Sequence, residues 1–423
     1  MIRFYNGKML TFDGGTRVTD GEVWTDGDSI SYVGAARTDL PAFEREIDLD
    51  GDVVMPGFKN AHTHTAMTAF RSYADDMELH TWLNKRIWPY ERKLTEEGVY
   101  YFTKLGIMEY LSSGITACFD MYGHTDSIVK ACIDSGFRIV FCSAMNDFDA
   151  DHTQIERDYL KNNAISPLVS YRLGIHAEYT TGIERLEYMR SLGEKYKAPL
   201  YLHMSETKTE VDDCISRTGM SPVRYLDKLG FFRYGGGAFH CVWMDDEDIE
   251  IMVRNRVYAI TCPASNLKLA SGIAPIDRMA AAGVEMGIGT DGAGSNNALD
   301  MFREMYLVST LQKYLNMDAT AGCADRTLRM ACVGGAHAMG LDSCDELAVG
   351  KKADIVVIDM KQPNMQPPHN IAKNIVYSGS KSNVRLTMVN GRILYENGRF
   401  NIGEDACAVY EKAGELSRRL FCE

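Results

Sequence analysis

The stretch Pro56-Gly57-Phe58-Lys59-Asn60-Ala61-His62-Thr63-His64 follows an apolar run and ends in two histidines that are one residue apart. In a β-strand, side chains two residues apart point to the same face, so both imidazoles can reach one ion. A zinc-type site needs further histidine, cysteine or carboxylate ligands. Taken alone, the pair fits a loop position and a packed position as well as it fits a metal site. The stretch therefore predicts a metal site only if other ligands converge on it.

Length and composition restrict the class of protein. A chain of 423 residues has room for one large catalytic domain and a smaller one. Its formal net charge of -13 argues against nucleic acid as a partner, because phosphate binding needs a basic surface. No apolar run approaches the ~20 residues that span a bilayer, and the first residues lack a signal-type stretch. The eleven scattered cysteines, which include no Cys-x-x-Cys pair, predict reduced thiols and a cytoplasmic protein.

The pattern of elements predicts an α/β fold with a small β domain. Residues 2–55 alternate between short strand patterns and turn signals such as Asp26-Gly27, and this texture returns beyond residue 345. Between them, eight strand patterns alternate with helical ones, which indicates a (β/α)8 TIM barrel. We expect the two β-rich ends to pair, because neither end alone buries enough surface. The predicted domains are residues 1–56 with 346–423, a composite β-sandwich, and residues 57–345, a metal-dependent catalytic barrel.

In such barrels the chemistry lies at the C-terminal ends of the strands. Five of the ten histidines fall at predicted strand ends, far more than chance placement would give: His62, His64, His176, His203 and His240. Other polar residues at these ends are Glu206, Ser265, Asn266 and Asp291. The remaining histidines lack this context, and we predict surface or packing positions for them: His80, His124, His152, His337 and His369.

The strand-end residues predict a mononuclear metal centre. Four of them suit one zinc or ferrous ion: His62, His64, His203 and Asp291. A bound water would have its pKa lowered toward ~7. Asp291 can accept the proton released during attack, Glu206 can act as general acid, and His240 can orient the water or stabilise the intermediate. The His176-Ala177-Glu178 sequence imitates the cytidine-deaminase signature, but the required Pro-Cys-x-x-Cys is absent, as is His-Glu-x-x-His.

Four sequence motifs carry a resemblance to a known family. They are the 56–64 stretch, Leu202-His203-Met204-Ser205-Glu206-Thr207, Pro263-Ala264-Ser265-Asn266-Leu267-Lys268-Leu269 and Gly289-Thr290-Asp291-Gly292-Ala293-Gly294-Ser295-Asn296-Asn297. The chain resembles the amidohydrolase superfamily and, within it, the methylthioadenosine/S-adenosylhomocysteine deaminase group. The resemblance implies a hydrolase acting on C–N bonds of cyclic amidines, in which metal-bound hydroxide attacks C6 of an adenosine derivative and ammonia leaves.

The resemblance also implies substrate contacts. Glu91 matches a family glutamate that binds the ribose hydroxyls, and a carboxylate can accept two hydrogen bonds from a vicinal diol. His176 matches a histidine that contacts the base. Trp82 either covers the site or is a core aromatic residue.

Two departures from the family pattern refine the prediction. Family members that bind the homocysteine carboxylate carry arginines after the third strand, where this chain has Ser143 and an arginine-free loop. We therefore favour 5'-methylthioadenosine, 5'-deoxyadenosine or adenosine over S-adenosylhomocysteine, with Arg157 or Arg172 as the residues that could compensate. The stretch 168–178 contains no lysine to be carboxylated, which favours one divalent ion per chain, Zn2+ first and Fe2+ second.

Two alternatives stay open from sequence alone. One is an aminohydrolase acting on another aromatic ring, of guanine, pterin or triazine type. The other is a barrel that has lost catalysis and serves as a scaffold. The expected partner is a small nucleoside, with no nucleic acid and no membrane, and a homo-oligomer is compatible with the sequence.

Overall fold

The N-terminal residues form strands of a sheet outside the barrel. The computed structural model describes residues 1–148 and 151–422, and of His80 the backbone only. The first strands are β1 (Ile2–Thr11), β2 (Arg17–Asp26), β3 (Ser29–Gly34), β4 (Arg45–Asp48) and β5 (Val53–Pro56). The Asn6-Gly7 turn signal marks a bulge inside β1 instead of a chain reversal. The reason is close packing, since a Cβ on Gly7 would lie 2.5 Å from the Cβ of Leu49.

Eight parallel strands form the barrel, and each pairs with the next in chain order. They are β6 (Phe58–Thr63), β7 (Ile115–Met121), β8 (Arg138–Cys142), β9 (Val169–Ala177), β10 (Leu200–Met204), β11 (Gly236–His240), β12 (Val257–Thr261) and β13 (Met286–Ile288). The barrel closes between the end of the last strand and the first strand, where the Asp291 amide donates to the His62 carbonyl at 3.0 Å. Next to it, the Asn60 amide group donates to the Thr290 hydroxyl at 2.7 Å and accepts from the Thr290 amide at 2.8 Å. The predicted (β/α)8 barrel is confirmed.

The C-terminal strands complete the sheet that the N-terminal strands begin. They are β14 (Ile355–Ile358), β15 (Val384–Val389), β16 (Arg392–Glu396) and β17 (Arg399–Phe400). The strand order is β17-β16-β15-β14-β5-β1-β2-β3, with β4 beside β1, so β5 joins the two chain ends. One apolar cluster unites both ends, and it includes Phe4, Val54, Ile355 and Leu386. The prediction that the ends pair is confirmed, whereas the exact domain limits stay a prediction.

Helices cover the barrel. They are α1 (Leu79–Trp82), α2 (Trp88–Glu91), α3 (Glu96–Ser112), α4 (Thr125–Ser135), α5 (Gln154–Ile165), α6 (Ile183–Tyr196), α7 (Lys208–Thr218), α8 (Pro222–Lys228), α9 (Asp246–Asn255), α10 (Pro263–Lys268), α11 (Ile276–Ala282), α12 (Met301–Asn316), α13 (Ala324–Arg329), α14 (Gly335–Met339), α15 (Ile371–Tyr377) and α16 (Ala406–Cys422). Side-chain caps begin several of them, as where Thr95 accepts from the Gly98 amide at 3.0 Å. Within residues 1–148 and 151–422, none of these helices has the length and apolar character needed to cross a bilayer.

A long segment connects the C-terminal end of β6, the first barrel strand, to α3. We call residues 65–95 the first-loop segment. It begins with a 3-10 helix over Thr65–Phe70 and later contains α1 and α2. Trp82 and Glu91 of this segment line the central cavity described below. Barrel topology thus places this segment beside the predicted site, because it starts directly after His64.

Candidate metal centre

Three histidines from two barrel strands meet at one point. His62 and His64 lie on successive same-face positions at the end of β6, and His203 lies on β10. The ring centroids of His62 are 4.9 Å from those of both His64 and His203. The Nε2 atoms of His64 and His203 are 3.4 Å apart. This separation is short enough for both atoms to coordinate one ion.

Backbone carbonyls fix the orientation of two of these rings. The Nδ1 atom of His64 is 2.5 Å from the Met121 carbonyl, and that of His203 is 2.7 Å from the His176 carbonyl. A carbonyl only accepts, so each Nδ1 must carry a hydrogen, which leaves Nε2 as the ring atom that can bind an ion. This is how metal-binding histidines are commonly held. Both rings are thus ready to bind through Nε2.

His62 provides the test of whether the site suits a metal. Both of its ring nitrogens are buried and lack a hydrogen-bond partner among the described residues. The ring stacks on Phe239 with centroids 3.9 Å apart, so it cannot turn toward water. Burial lowers the pKa of His62 well below its usual value, which leaves the neutral form that binds metals. A buried polar atom without a partner is costly, and a cation bound by the cluster would supply the missing partner. The residues therefore fit a divalent ion.

Asp291 adds a carboxylate to the histidines. Its Oδ1 atom lies 3.3 Å from Nε2 of His64 and 3.6 Å from Nε2 of His62. Its Oδ2 atom accepts hydrogen bonds from the hydroxyls of Ser265 at 2.5 Å and Ser295 at 2.9 Å. Burial alone would raise the pKa of Asp291, but the hydrogen bond and charge of His64 hold it well below its usual range. The group is therefore an ionised carboxylate that faces the histidine cluster.

His240 and Glu206 stand at the edge of this centre. The Nδ1 atom of His240 is 2.8 Å from Oδ1 of Asn266, and its Nε2 atom is 3.8 Å from Oε2 of Glu206. His240 also forms a group with His62 and His203 whose ligand atoms lie within 4.8 Å of one another. The geometry thus allows His240 to coordinate an ion as well as to orient water. Burial raises the pKa of Glu206 and favours its protonated form.

Four strand-end residues adopt left-handed backbone conformations. Ser205, His240, Cys241 and Asp291 have φ angles of 50°, 72°, 50° and 59°. Residues other than glycine rarely adopt such angles, and they occur at functional sites where the surrounding structure enforces them. Here they turn the chain sharply at the ends of β10, β11 and β13.

A buried carboxyl braces one of these turns. Glu210 accepts hydrogen bonds from the Ser205 amide at 2.7 Å and the Glu206 amide at 2.8 Å. Burial and the neighbouring Glu206 raise the pKa of Glu210 to about 8. Glu210 was not among the residues predicted from the sequence, although it lies three residues after Thr207, the cap of α7 whose hydroxyl accepts from the Glu210 amide at 3.1 Å. Its role emerges only from the fold, because it acts through backbone amides that precede it by four and five residues.

A cavity of about 560 Å³ lies next to the metal centre. Its wall includes the predicted substrate residues Trp82, Glu91 and His176, together with Glu206 and Asp291. The structure therefore brings every predicted substrate residue to one cavity. This volume is in the range of small-molecule sites.

The three outer substrate residues differ in their surroundings. Trp82 is buried, so it serves as cavity wall and as core residue at once. The Nδ1 atom of His176 is 2.9 Å from the Thr180 hydroxyl, and burial lowers the pKa of His176 to about 4. Burial raises the pKa of Glu91, while the nearby Tyr122 hydroxyl opposes that shift. The Tyr122 hydroxyl is itself buried.

Two cavity residues were not expected from the sequence. His124 and His152, for which we predicted surface or packing positions, both line the cavity. They belong to the loops after β7 and β8, several residues past the strand ends, so a search restricted to the strand ends misses them. His337 lies elsewhere and bonds to Asp345 at 2.9 Å, and His369 is exposed. The side chain of His80 lies outside the described part.

The two arginines that could compensate for Ser143 do not reach the cavity. Arg172 donates to the carbonyls of Met339 at 3.1 Å and Gly340 at 3.4 Å. Arg157 is exposed and pairs with Asp151 at 3.3 Å. Among the described residues, the cavity wall contains one arginine, Arg92, and several acids, which include Asp151 and Asp158. The wall is therefore poorly suited to a second carboxylate.

A closed barrel with histidines and a carboxylate converging at the C-terminal ends of its strands defines a metal-dependent barrel hydrolase. The chain belongs to the amidohydrolase family, which it matches over residues 53–394. It is 37% identical over 433 residues to 5-methylthioadenosine/S-adenosylhomocysteine deaminase 1 of Archaeoglobus fulgidus, covering 99% of both chains. It is 38% identical over 403 residues to the 5-methylthioadenosine/S-adenosylhomocysteine deaminase of Caldicellulosiruptor saccharolyticus, covering 94% of both.

Solved structures resemble the whole chain. An adenosine deaminase from Xanthomonas campestris with bound zinc has a TM-score of 0.95 and 30% identity, covering 100% of this chain and 99% of its own. The atrazine chlorohydrolase TrzN from Arthrobacter aurescens with zinc has a TM-score of 0.90 at 23% identity, covering 99% and 100%. At that identity the second likeness concerns the fold alone.

Proposed function

We propose that the protein is a metal-dependent deaminase that hydrolyses the 6-amino group of an adenosine derivative, giving the inosine derivative and ammonia. One observation carries the proposal. His62, His64, His203 and Asp291 converge at one end of a cavity, Glu206 stands beside them, and Glu91 lies in the wall of the same cavity. The names of the relatives, which are deaminases of 5'-modified adenosines, support the same substrate class.

The proposed cofactor is one divalent ion per chain, Zn2+ in the first place and Fe2+ in the second. His62, His64, His203 and Asp291 would hold it, and His240 is the additional candidate. The three-histidine and carboxylate donor set suits both metals, and a similar solved structure contains zinc. When bound, such an ion acts as a Lewis acid and lowers the pKa of coordinated water toward ~7. Metal analysis that finds two tightly held ions per chain would refute the mononuclear assignment.

The protein's own side chains would manage the protons. Glu206 is buried with a raised pKa, so it is suited to carry a proton and donate it to a ring nitrogen of the base. Asp291 is ionised and can take up the proton that the attacking water releases. Asn266 holds His240 through Nδ1, which leaves Nε2 as the atom that orients the water. The buried setting keeps bulk water away from these transfers.

Substrate binding would use the remaining cavity residues. Glu91 can accept hydrogen bonds from the two ribose hydroxyls through one carboxylate. His176, held by Thr180, is the proposed contact for the base, and Trp82 supplies an apolar wall. The expected result for Glu91→Ala is a loss of affinity for ribonucleosides. Unchanged kinetics with adenosine-type substrates would instead point to a free base of guanine, pterin or triazine type.

We propose further that the 5'-substituent is small and lacks a carboxylate. Asp151 and Asp158 line the cavity, the exposed Arg157 is outside the lining and pairs with Asp151, and Arg172 donates to backbone carbonyls. The preferred substrates are therefore 5'-methylthioadenosine, 5'-deoxyadenosine and adenosine, ahead of S-adenosylhomocysteine. Comparison of kcat/KM for 5'-methylthioadenosine and S-adenosylhomocysteine is the test, and a clear preference for the latter overturns this assignment.

The decisive experiment is an ammonia-release screen across 5'-modified adenosines. The matched variant is Glu206→Gln, which keeps the shape of the side chain and removes its acid function. We expect Glu206→Gln to retain its metal and lose about 10²- to 10⁴-fold in kcat. A metal-loaded protein that releases no ammonia from a purine and pterin panel would refute the proposal and favour a scaffold role.

We also place the protein in the cytoplasm, which its eleven unpaired cysteines support.

A further inference from the structure

Four aromatic rings pack together where the C-terminal helix meets the first-loop segment. Phe421, in the last turn of α16, stacks on Tyr73 with centroids 4.1 Å apart and an interplanar angle of 26°. Its ring is also 5.2 Å from that of Tyr90 and 5.9 Å from that of Phe70. Tyr73 and Tyr90 are 5.2 Å apart in an edge-to-face arrangement. We call these residues the four-ring cluster.

The rest of α16 is attached firmly to the barrel. Glu404, just before the helix, pairs with the buried Lys104 of α3 at 2.6 Å. Lys412 pairs with Glu97 at the start of α3 at 3.1 Å. The apolar face of α16, which consists of Val409, Ala413, Leu416 and Leu420, is buried. The helix is therefore a fixed support, and Phe421 extends from its end to the first-loop segment.

The four-ring cluster is close in the chain to two parts of the candidate site. Phe70 ends the 3-10 helix that begins directly after His64, and Tyr90 precedes Glu91 in α2. The helix α2 has four residues, of which Trp88, Tyr90 and Glu91 are half-buried and Pro89 is exposed. A helix of this length is not stable by itself, so its position depends on the contacts of its side chains. The ring of Tyr90 supplies such a contact next to Glu91.

We propose that Phe421 is a positioning residue for Glu91. The ring of Phe421 holds Tyr73 and Tyr90, which keeps α2 in place and aims the Glu91 carboxyl into the cavity. Phe421 does not line the cavity, so its effect reaches the substrate only through Glu91. The inference rests on the proposed role of Glu91 as the ligand of the ribose hydroxyls.

The kinetic test compares Phe421→Ala with Tyr410→Ala. Tyr410 lies on the same helix, is exposed, and is absent from the four-ring cluster, so it controls for loss of an aromatic ring from α16. Of the three ring contacts that Phe421→Ala removes, the one with Tyr90 is next to Glu91, and its loss should raise KM for adenosine about 2- to 12-fold with kcat unchanged. KM for 2',3'-dideoxyadenosine, which lacks both hydroxyls, should not change. Phe421→Tyr should restore the wild-type KM.

The double variant Glu91→Ala/Phe421→Ala sharpens this test. If Phe421 acts through Glu91, the double variant should match Glu91→Ala alone, since both changes remove one interaction. Additive losses, an equal rise in KM for both nucleosides, or wild-type kinetics for Phe421→Ala each overturn the proposal.

Hydrogen exchange of the metal-loaded protein gives a readout that does not depend on activity. The amides of Arg92 and Leu94 donate to the carbonyls of Trp88 and Glu91, so they report on α2. Faster exchange confined to the first-loop segment, with residues 88–94 affected most, supports the proposal, and unchanged or uniformly faster exchange overturns it. A wild-type enzyme that deaminates no adenosine derivative refutes the proposed function, whereas the exchange experiment still decides whether Phe421 fixes α2.

Discussion

Substitution of Gly289 by alanine should weaken metal binding without touching a ligand. Gly289 lies where the last barrel strand passes the first, and its φ angle is not in the left-handed region. A Cβ at this position would lie 2.8 Å from the Cβ, the amide nitrogen and the carbonyl oxygen of His62. Carbon atoms in contact prefer about 3.5–4.0 Å, so the contact between the two Cβ atoms would be about 0.7–1.2 Å too short. The backbone that carries a metal-binding residue must therefore move.

The expected magnitude follows from the cost of such overpacking. Extra atoms in a packed core typically cost ~1–3 kcal/mol. The metal-free protein can relax by moving His62, whereas the metal-bound form requires His62 in place. Most of the strain should thus appear in the bound state and weaken metal affinity about 5- to 150-fold.

Competition with a chelator of known affinity measures this change directly. The matched control is Gly414→Ala, the same substitution in α16, where the nearest atom to a new Cβ is Nη1 of Arg418 at 3.7 Å. This control should keep its metal affinity and gain ~0.5–1 kcal/mol in stability, because alanine favours helix. If Gly289→Ala binds its metal as tightly as the wild type, the close approach of the two strands does not set the position of His62.

Four other predictions concern stability. Asn60→Ala leaves the buried Thr290 amide unpaired and should lower the free energy of unfolding by ~1–3 kcal/mol in denaturant titration, and an unchanged midpoint would contradict it. Arg138 and Asp354 form a buried ion pair with two hydrogen bonds, of 2.7 Å and 3.0 Å. Arg138→Met breaks this pair and should lower the free energy of unfolding by ~3–5 kcal/mol in the same titration. Burial opposes ionisation of Asp354, but Arg138 lowers the pKa of Asp354. The stability that ionised Asp354 contributes is therefore present above about pH 4 and is lost as the pH falls further. Asp354→Asn should not show this loss of stability at acid pH. Chelation should lower Tm because His62 loses its partner, Zn2+ should restore it, and an unshifted Tm would argue against a bound ion.

The fold was predictable because its signals are local and periodic. The strands Ile115–Met121 and Leu200–Met204 begin and end where the apolar runs do, since buried parallel strands read as continuous apolar segments. In a barrel of this kind the site lies at the C-terminal ends of the strands, and this rule selected His203 and Asp291 from the sequence. Bulges are harder to predict from the sequence, because a pair such as Asn6-Gly7 is typical both of a bulge and of a turn.

The supporting residues could not be predicted, because they act across the fold. Glu210 bonds to the amides of Ser205 and Glu206, and every residue except proline carries such an amide, so the side chains at those positions do not reveal the contact. His124 lies in the short loop between β7 and α4 and lines the cavity, although it is three residues past the end of its strand. Phe421 lies more than three hundred residues from Glu91 along the chain, and only the placement of α16 against α3 brings it near.

The position of β5 between the two ends of the chain has a consequence for biosynthesis. Its neighbour β14 starts at Ile355, so on the ribosome the Val53–Pro56 strand has one unpaired edge until almost the entire polypeptide has been made. At ~5–20 residues per second this wait is on the order of tens of seconds. During that time an exposed apolar strand edge is open to pairing with other nascent chains. Slow translation or chaperone depletion should therefore reduce the yield of this protein through aggregation that starts at its N-terminal strands.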